Sequence, residues 1–255
     1  KGKGKSIFKD VKGVSLHKVY GPHPAGNVGV QIGKISPINA GERVWTVTPQ
    51  DVATIGELFL TGKFNATRTV ALVGSEVKDA QYYNVISGAA IADLVAGKIE
   101  GDNVRVISGD VLTGTKVKMN GNLGFLSNTV TIIPEGNVYR MFGWMPFASP
   151  SVHSASRTGL SWLMPGKKYA PNTNLNGEER ALVVTGEMEA VMPLDIFPMQ
   201  LLKACLASDI DKMESLGIYE VAPEDFALID YTNTSKLEAQ QIIREALDLM
   251  IKEVG

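Results

Sequence analysis

Residues Asn103–Lys116 read NVRVISGDVLTGTK, and this stretch decides the fold. Alternating β-branched positions give two short strands, broken at Ser108-Gly109-Asp110 and closed by Thr113-Gly114. Upstream, Thr67–Ser75 (TRTVALVGS) and Tyr82–Ile86 (YYNVI) are β-rich runs, and Ala89–Ala96 (AAIADLVA) has the 3.6-residue apolar spacing of a helix. Strand, strand, helix, strand, strand is the order of a small β-grasp module. At roughly 50 residues it lies near the lower size limit for a self-sufficient core, so it is expected to lean on its neighbours.

Before this module, Ser6–Tyr20 has interleaved β-branched, aromatic and Lys positions that predict a strand or hairpin, ended by Gly21-Pro22-His23-Pro24. Pro24–Ile35 (PAGNVGVQIGKI) reads as a helix whose Gly26, Gly29 and Gly33 form a smooth face for close packing on a sheet. Val44–Val47 predicts a strand, and Thr48 an N-cap for a helix over Pro49–Leu60 that Gly62 stops. After the module, strands are expected at Asn122–Pro134, Gly159–Leu163 and 181–184, the middle one within long surface loops over 148–178. From Leu194 the pattern turns helical, with helices at about 194–207, 209–216, 223–229 and 235–253. Ser235 is the expected cap of the last, whose stripe holds Leu237, Ile242, Ala246 and Leu249.

The chain has 255 residues, 44% hydrophobic and 20% charged, and a formal charge of −2. The charge is uneven. Residues 1–66 hold nine Lys/Arg against four Asp/Glu, residues 67–190 eleven of each, and residues 191–255 five against twelve. A basic face broad enough for nucleic acid is absent from that distribution, and an acidic surface suited to a basic partner fits it better. Cys205 is the single cysteine, which excludes an intrachain disulfide and a Cys-ligated cluster. No apolar run approaches the ~20 residues of a membrane-spanning helix. The opening KGKGKSIFKD lacks an initiator Met and enters a strand-like pattern at once, which implies an upstream half.

Candidate chemistry is sparse. The glycines at 26, 29 and 33 form GxxGxxxG, which matches no phosphate-binding spacing and favours helix packing. His17, His23 and His153 lack ligand partners at helical spacing, and no base is spaced to activate Ser108 or Ser156. Asp209, Asp211 and Glu214 lack the pattern of a calcium loop and read as a solvated helix start. Tyr139, Phe142, Trp144, Phe147 and Trp162 could pack in a core or hairpin, line a protein interface, or stack a planar ligand such as a quinone ring. Arg157, isolated among small residues, is the best candidate for an anion or carboxylate contact, with a plain surface role the favoured reading. No residue is assigned as catalytic, cofactor-binding or metal-ligating.

Taken in order, GPHPAGNVGVQIGKISPI (21–38), VWTVTPQDVATIGELFLTGKF (44–64), RVISGDVLTGTK (105–116), FGW (142–144), NGEERALV (176–183) and VMPLDIFPMQLLKACLASD (191–209) resemble the NqrA subunit of the bacterial sodium-translocating NADH:quinone reductases. The resemblance covers essentially the whole chain. It implies an α+β architecture: residues 1–66 as the C-terminal part of a Rossmann-like α/β domain, 67–190 as an SLBB-type β-grasp domain with a β-rich extension, and 191–255 as a helical bundle. The related RnfC subunit of Rnf electron-transport complexes carries cluster cysteines near its C-terminus, whereas this chain has Ile229-Asp230-Tyr231-Thr232-Asn233 there.

The implied role is that of a peripheral, non-redox subunit on the cytoplasmic side of the bacterial inner membrane. Such a subunit supports electron transfer from NADH to ubiquinone coupled to sodium export, with flavins and iron-sulfur centres on partner subunits and quinone as a possible contact. The competing reading is a free-standing small-molecule module that binds a quinone-like ligand. Self-association through exposed edge strands within 1–66 is also expected.

Overall fold

A computed structural model describes residues 8–143, 152–155, 157 and 159–254. They form two compact units: the residues through Val44 together with those from Arg180 onward, and Trp45–Glu179.

The second unit contains a mixed five-stranded sheet. Its strands are β1 (Thr67–Val73), β2 (Gln81–Ile86), β3 (Val104–Ser108), β4 (Thr115–Val117) and β5 (Thr129–Pro134), in the spatial order β2-β1-β5-β3-β4. Only the β1–β5 pair is parallel, over Ala71–Val73. Alternation puts Val70 and Leu72 of β1, Val106 of β3, and Val130 and Ile132 of β5 on one face. There they pack against Leu123 and against Ile91, Leu94 and Val95 of α3 (Ile91–Val95).

The deciding stretch folds as a hairpin. Gly109 takes φ 112°, and a Cβ there would lie 2.8 Å from Gly114 Cα, so the loop closes only with glycine at that point. Asp110 Oδ1 holds the turn by accepting the N–H groups of Leu112 (2.7 Å) and Thr113 (2.9 Å).

In the same unit, α2 (Pro49–Thr61) starts and stops where its sequence says. Thr48 Oγ1 accepts the Asp51 N–H, and Gly62 closes the helix in the left-handed region at φ 70°.

The first unit is helical where described. It comprises α1 (Val28–Ile35), α4 (Pro198–Leu206), α5 (Ile210–Ser215), α6 (Ala227–Thr232) and α7 (Ala239–Glu253), with short 3₁₀ turns between. Met199, Leu201, Leu202, Met213, Ile218, Phe226, Ile229 and Ile243 form its fully enclosed core.

Two features of this unit differ from the pattern read in the sequence. The buried stripe of α7 is Ala239, Ile243, Ala246 and Met250, leaving Ile242 and Leu249 half-buried at its flank. Ser235 does not cap α7. Asp230 of α6 does so from outside the helix, its carboxylate accepting the N–H groups of Ala239 and Gln240 (3.3 Å for the latter). Ser235 instead ties its own loop down, its hydroxyl donating to Ala181 O (3.2 Å).

Several expected strands are not formed. Residues 8–64 and 181–184 contain no strand, 160–163 is a 3₁₀ turn, and of 122–134 only 129–134 joins the sheet. These segments have β-favouring residues but no ladder partner among the described residues, and a strand without one leaves its backbone polar groups to water.

Candidate functional site

A cluster of charge sits at the β3–β4–β5 end of the sheet. Pairing of Val104 with Pro134 and Arg105 with Ile133 carries Arg105 alongside Glu135, the residue that follows β5. Arg105 meets the carboxylate with two nitrogens of its fork, Nε at 3.0 Å. Lys116 Nζ of β4 lies 3.3 Å from Oε2, and Thr173 donates to Oε1 at 3.2 Å. Arg105 above all pulls the Glu135 carboxyl down to about 2. Such a group stays ionised at neutral pH and has no proton to give, so the cluster holds shape rather than moving protons. Thr173 Oγ1 also accepts the Gly136 N–H at 2.6 Å, which pins the loop around 173 to the sheet.

A second polar anchor went unread in the sequence. Arg68, 7% exposed, lies on the core side of β1 in step with Val70 and Leu72, and its Nη1 pairs with Asp51 Oδ1 of α2 at 2.9 Å. Its Nε and Nη2 have no partner among the described residues. One residue earlier in α2, the Gln50 carboxamide accepts the Thr69 N–H and donates to Thr69 O, both at 3.0 Å. Gln50 thus imitates a strand on β1 beyond the reach of β5. The signal was available: TRTVALV has period two, which places Arg68 among the core-facing residues.

Of the expected aromatic cluster, Tyr139 (76% exposed), Phe142 (43%) and Trp162 (52%) are surface residues and not core packing. Trp144 and Phe147 lie outside the described residues. The Tyr139 hydroxyl donates to Glu178 at 3.1 Å, which pushes its ionisation up. Met141 is 65% exposed as well, so each of these side chains leaves apolar area open to contact.

Of the three glycines expected to form a packing face, Gly29 and Gly33 do pack closely, against a 3₁₀ turn and a loop rather than a sheet, while Gly26 precedes α1 with open space beside it. A Cβ on Gly29 would lie 2.5 Å from Asp225 Oδ2, and one on Gly33 would lie 2.7 Å from Leu194 Cδ2. Asp225 is 2% exposed; its Oδ2 accepts the Ala222 N–H at 2.9 Å while Oδ1 has no partner among the described residues, and burial raises its pKa.

The remaining candidates carry no assembled chemistry. His17 and His23 are exposed, and His153 stacks edge-on against Tyr169 with ring centres 5.4 Å apart. Ser108 Oγ donates to Ser127 Oγ (2.9 Å) and accepts the Gly124 N–H (3.0 Å), with no base beside it. Ser156 lies outside the described residues. Asp209 caps α5, Glu214 accepts the Tyr219 hydroxyl at 2.6 Å, and Asp211 stands in the first turn of α5. Arg157 is exposed, at φ 61°. Burial pushes the Cys205 thiol up to about 11, which makes it a poor nucleophile. Among the described residues no group of three or more His, Cys, Asp or Glu could hold a metal ion. No described helix is long and apolar enough to cross a membrane.

Comparison with known proteins gives this scaffold a context. A family model described as the NqrA second alpha/beta domain matches residues 1–64, and one described as the NqrA C-terminal domain, an SLBB module, matches residues 69–119. The NqrA subunit of the Na(+)-translocating NADH-quinone reductase of Neisseria meningitidis serogroup B is 38% identical over 241 residues, which are 94% of this chain. The chain belongs to the NqrA family. Proteins of the same name from Serratia proteamaculans (39% over 241 residues) and Vibrio campbellii (37% over 243) also match 94% of this NqrA-family chain. Each alignment covers 54% of the relative, so the chain spans about half the length of the curated relatives it matches.

Proposed function

We propose that this chain acts as a peripheral, non-redox part of a sodium-translocating NADH:quinone reductase, supporting electron transfer from NADH to ubiquinone coupled to sodium export. The observation that carries the reading is 37–39% identity over 94% of the chain to proteins named as the NqrA component of that enzyme. Its place is the cytoplasmic face of the bacterial inner membrane, against the other subunits, with flavins and iron-sulfur centres on those partners. The donor set supports that division of labour. A single buried cysteine cannot ligate a cluster, and the most tightly held carboxylate, Glu135, is locked to Arg105.

The proposed architecture is the end of a Rossmann-like domain over 1–66, an SLBB-type β-grasp domain with its extension over 67–190, and a helical bundle over 191–255. Exposed Tyr139, Met141 and Phe142 and the acidic segment 191–255 are the surfaces offered to partner subunits and to quinone.

Tagging the chain in its native membrane, solubilising mildly and assaying NADH:quinone activity in the purified fraction tests the reading. Co-elution of membrane and flavin subunits with activity is expected, and elution of the chain alone overturns it. Titration with a short-chain quinone tests the quinone contact separately.

A further inference from the structure

Residues 8–64 hold no strand, so the edge strands expected to drive self-association are absent from them. Another pair of strandless segments does meet. The chain leaves β5 at Glu135 and comes back beside it at Thr173, so that 136–143 and 173–178 lie as two legs side by side. Side chains join the legs. Thr173 Oγ1 accepts the Gly136 N–H, Asn174 Oδ1 accepts the Val138 N–H at 2.8 Å, and Glu178 accepts the Tyr139 hydroxyl. Glycines let the backbones touch at both ends: a Cβ on Gly136 would run into Asn174 N, and one on Gly143 would lie 2.5 Å from Asn176 C. Asn176 takes φ 53° and its Nδ2 donates to Asn174 O at 3.1 Å, which fixes the bend of the second leg.

No apolar side chain of either leg is buried: Val138, Tyr139, Met141, Phe142 and Leu175 are 43–76% exposed. The neck is therefore held by its hydrogen bonds and not by a core. Gly136 and Thr173 are 37 residues apart, and closing a loop of that length costs more than one neutral hydrogen bond contributes. The bonds at the neck must hold or fail together.

We propose that 136–143 and 173–178 form a strap that opens and closes as one unit while the sheet stays folded, with Thr173 as its latch. Glu135 gives the latch a fixed seat, because Arg105 and Lys116 hold its carboxylate on the sheet. Thr173 has one hydroxyl proton, and donating it to Glu135 Oε1 (3.2 Å) turns the lone pairs of Oγ1 toward the Gly136 N–H. The closed strap sets the positions of Tyr139, Met141 and Phe142; its bearing on assembly rests on the reading above that these side chains face partner subunits.

Amide exchange followed by NMR on the whole 255-residue chain tests the strap, because the Gly136 and Val138 N–H groups each bond to the opposite leg. Thr173→Val removes the acceptor of Gly136 and leaves that of Val138. Both amides should exchange at least tenfold faster in this variant, while Val106 and Ile132, paired between β3 and β5, keep their rates. Thr173→Ser, which keeps the hydroxyl, should restore both. Acceleration at Gly136 alone shows two independent bonds, and acceleration at Ile132 as well shows that the legs open with the sheet; either overturns the proposal. So does a parent chain in which Gly136 and Val138 are unprotected. The reading it rests on is tested apart from it, by Met141→Glu in the whole reductase, which touches no bond of the neck. Unchanged retention of that variant by its partners removes these side chains from the partner surface and leaves the latch in place.

Discussion

The helices beyond Arg180 and the segment through residue 64 use apolar residues in opposite ways. In the former, Phe226, Met199, Leu201, Leu202 and Ile243 are each at most 1% exposed, and helices of six to fifteen residues enclose them. In described residues 8–64 the one buried side chain is Val30. Both regions have amphipathic helices, so composition does not separate them. What separates them is whether an apolar stripe finds a partner within these 255 residues. The C-terminal helices are stabilised by their own burial; α2 is held by the polar contacts of Gln50 and Asp51 and presents its apolar residues outward.

The largest expected effect tests that contrast directly. Phe226→Ala should cost about 3–5 kcal/mol in denaturant unfolding of the helical unit, since it removes a fully buried aromatic and leaves a cavity. Phe59→Ala, the same chemical change on α2, should stay within about 0.5 kcal/mol in dilute solution, because it empties no core. Comparable losses at both sites would mean that α2 is packed and the contrast is wrong.

Next comes the anchor of α2. Removing Asp51 leaves the Arg68 guanidinium charged, 7% exposed and without its one partner, a change that costs about 3 kcal/mol when a buried pair is broken. Hydrogen exchange of Asp51→Ala should show α2 and the neighbouring end of β1 opening together. Protection of α2 equal to that of the parent chain would show that its exposed apolar residues, rather than Asp51, hold it in place.

How much of this could be read in advance follows from the range over which each signal acts. The helix over 49–61, with Thr48 and Gly62 at its ends, was legible because caps are local chemistry, as was the β3–β4 hairpin with its glycines. The strands expected at 44–47 and 181–184 were misread because β-propensity reports a willingness to pair and says nothing of whether a partner exists. The cap of α7 was misread for a similar reason: Ser235 is near in sequence, but Asp230 is nearer in space. At the charged cluster, Arg105 and Glu135 are 30 residues apart, and only the β3–β5 register joins them.

The charged cluster predicts a pH effect on the sheet unit. The Glu135 carboxyl titrates at about 2 in the folded chain and near 4.3 unfolded, so the folded state binds fewer protons between those values. Its contribution is therefore present above about pH 4.5 and is lost as pH falls toward about 2. Glu135→Gln should destabilise this unit by ~2 kcal/mol at neutral pH, the order of a charge-assisted hydrogen bond, with parent and variant converging in acid. A constant gap down to about pH 2 would show that the loss comes from packing of the 173 loop instead.

Asp225 should give the smallest effect and the opposite sign. Burial raises its pKa, with Glu224 adding a like charge, so the folded state keeps its proton to higher pH than the unfolded chain does. For such a group stability is greatest below the ordinary Asp range and declines as pH rises through the raised value, by no more than ~1.4 kcal/mol per pH unit for one proton. Asp230 is raised by burial too and contributes with the same sign, so Asp225→Asn should shrink this decline in the helical unit without abolishing it. Gly29 links the measurement to α1: with the carboxylate this close to the first turn of that helix, Gly29→Ala should lower stability at every pH, by forcing α1 away from Asp225. An Asn variant whose pH dependence matches that of the parent would mean that Asp225 is solvated in the folded chain, and that α1 does not close over it.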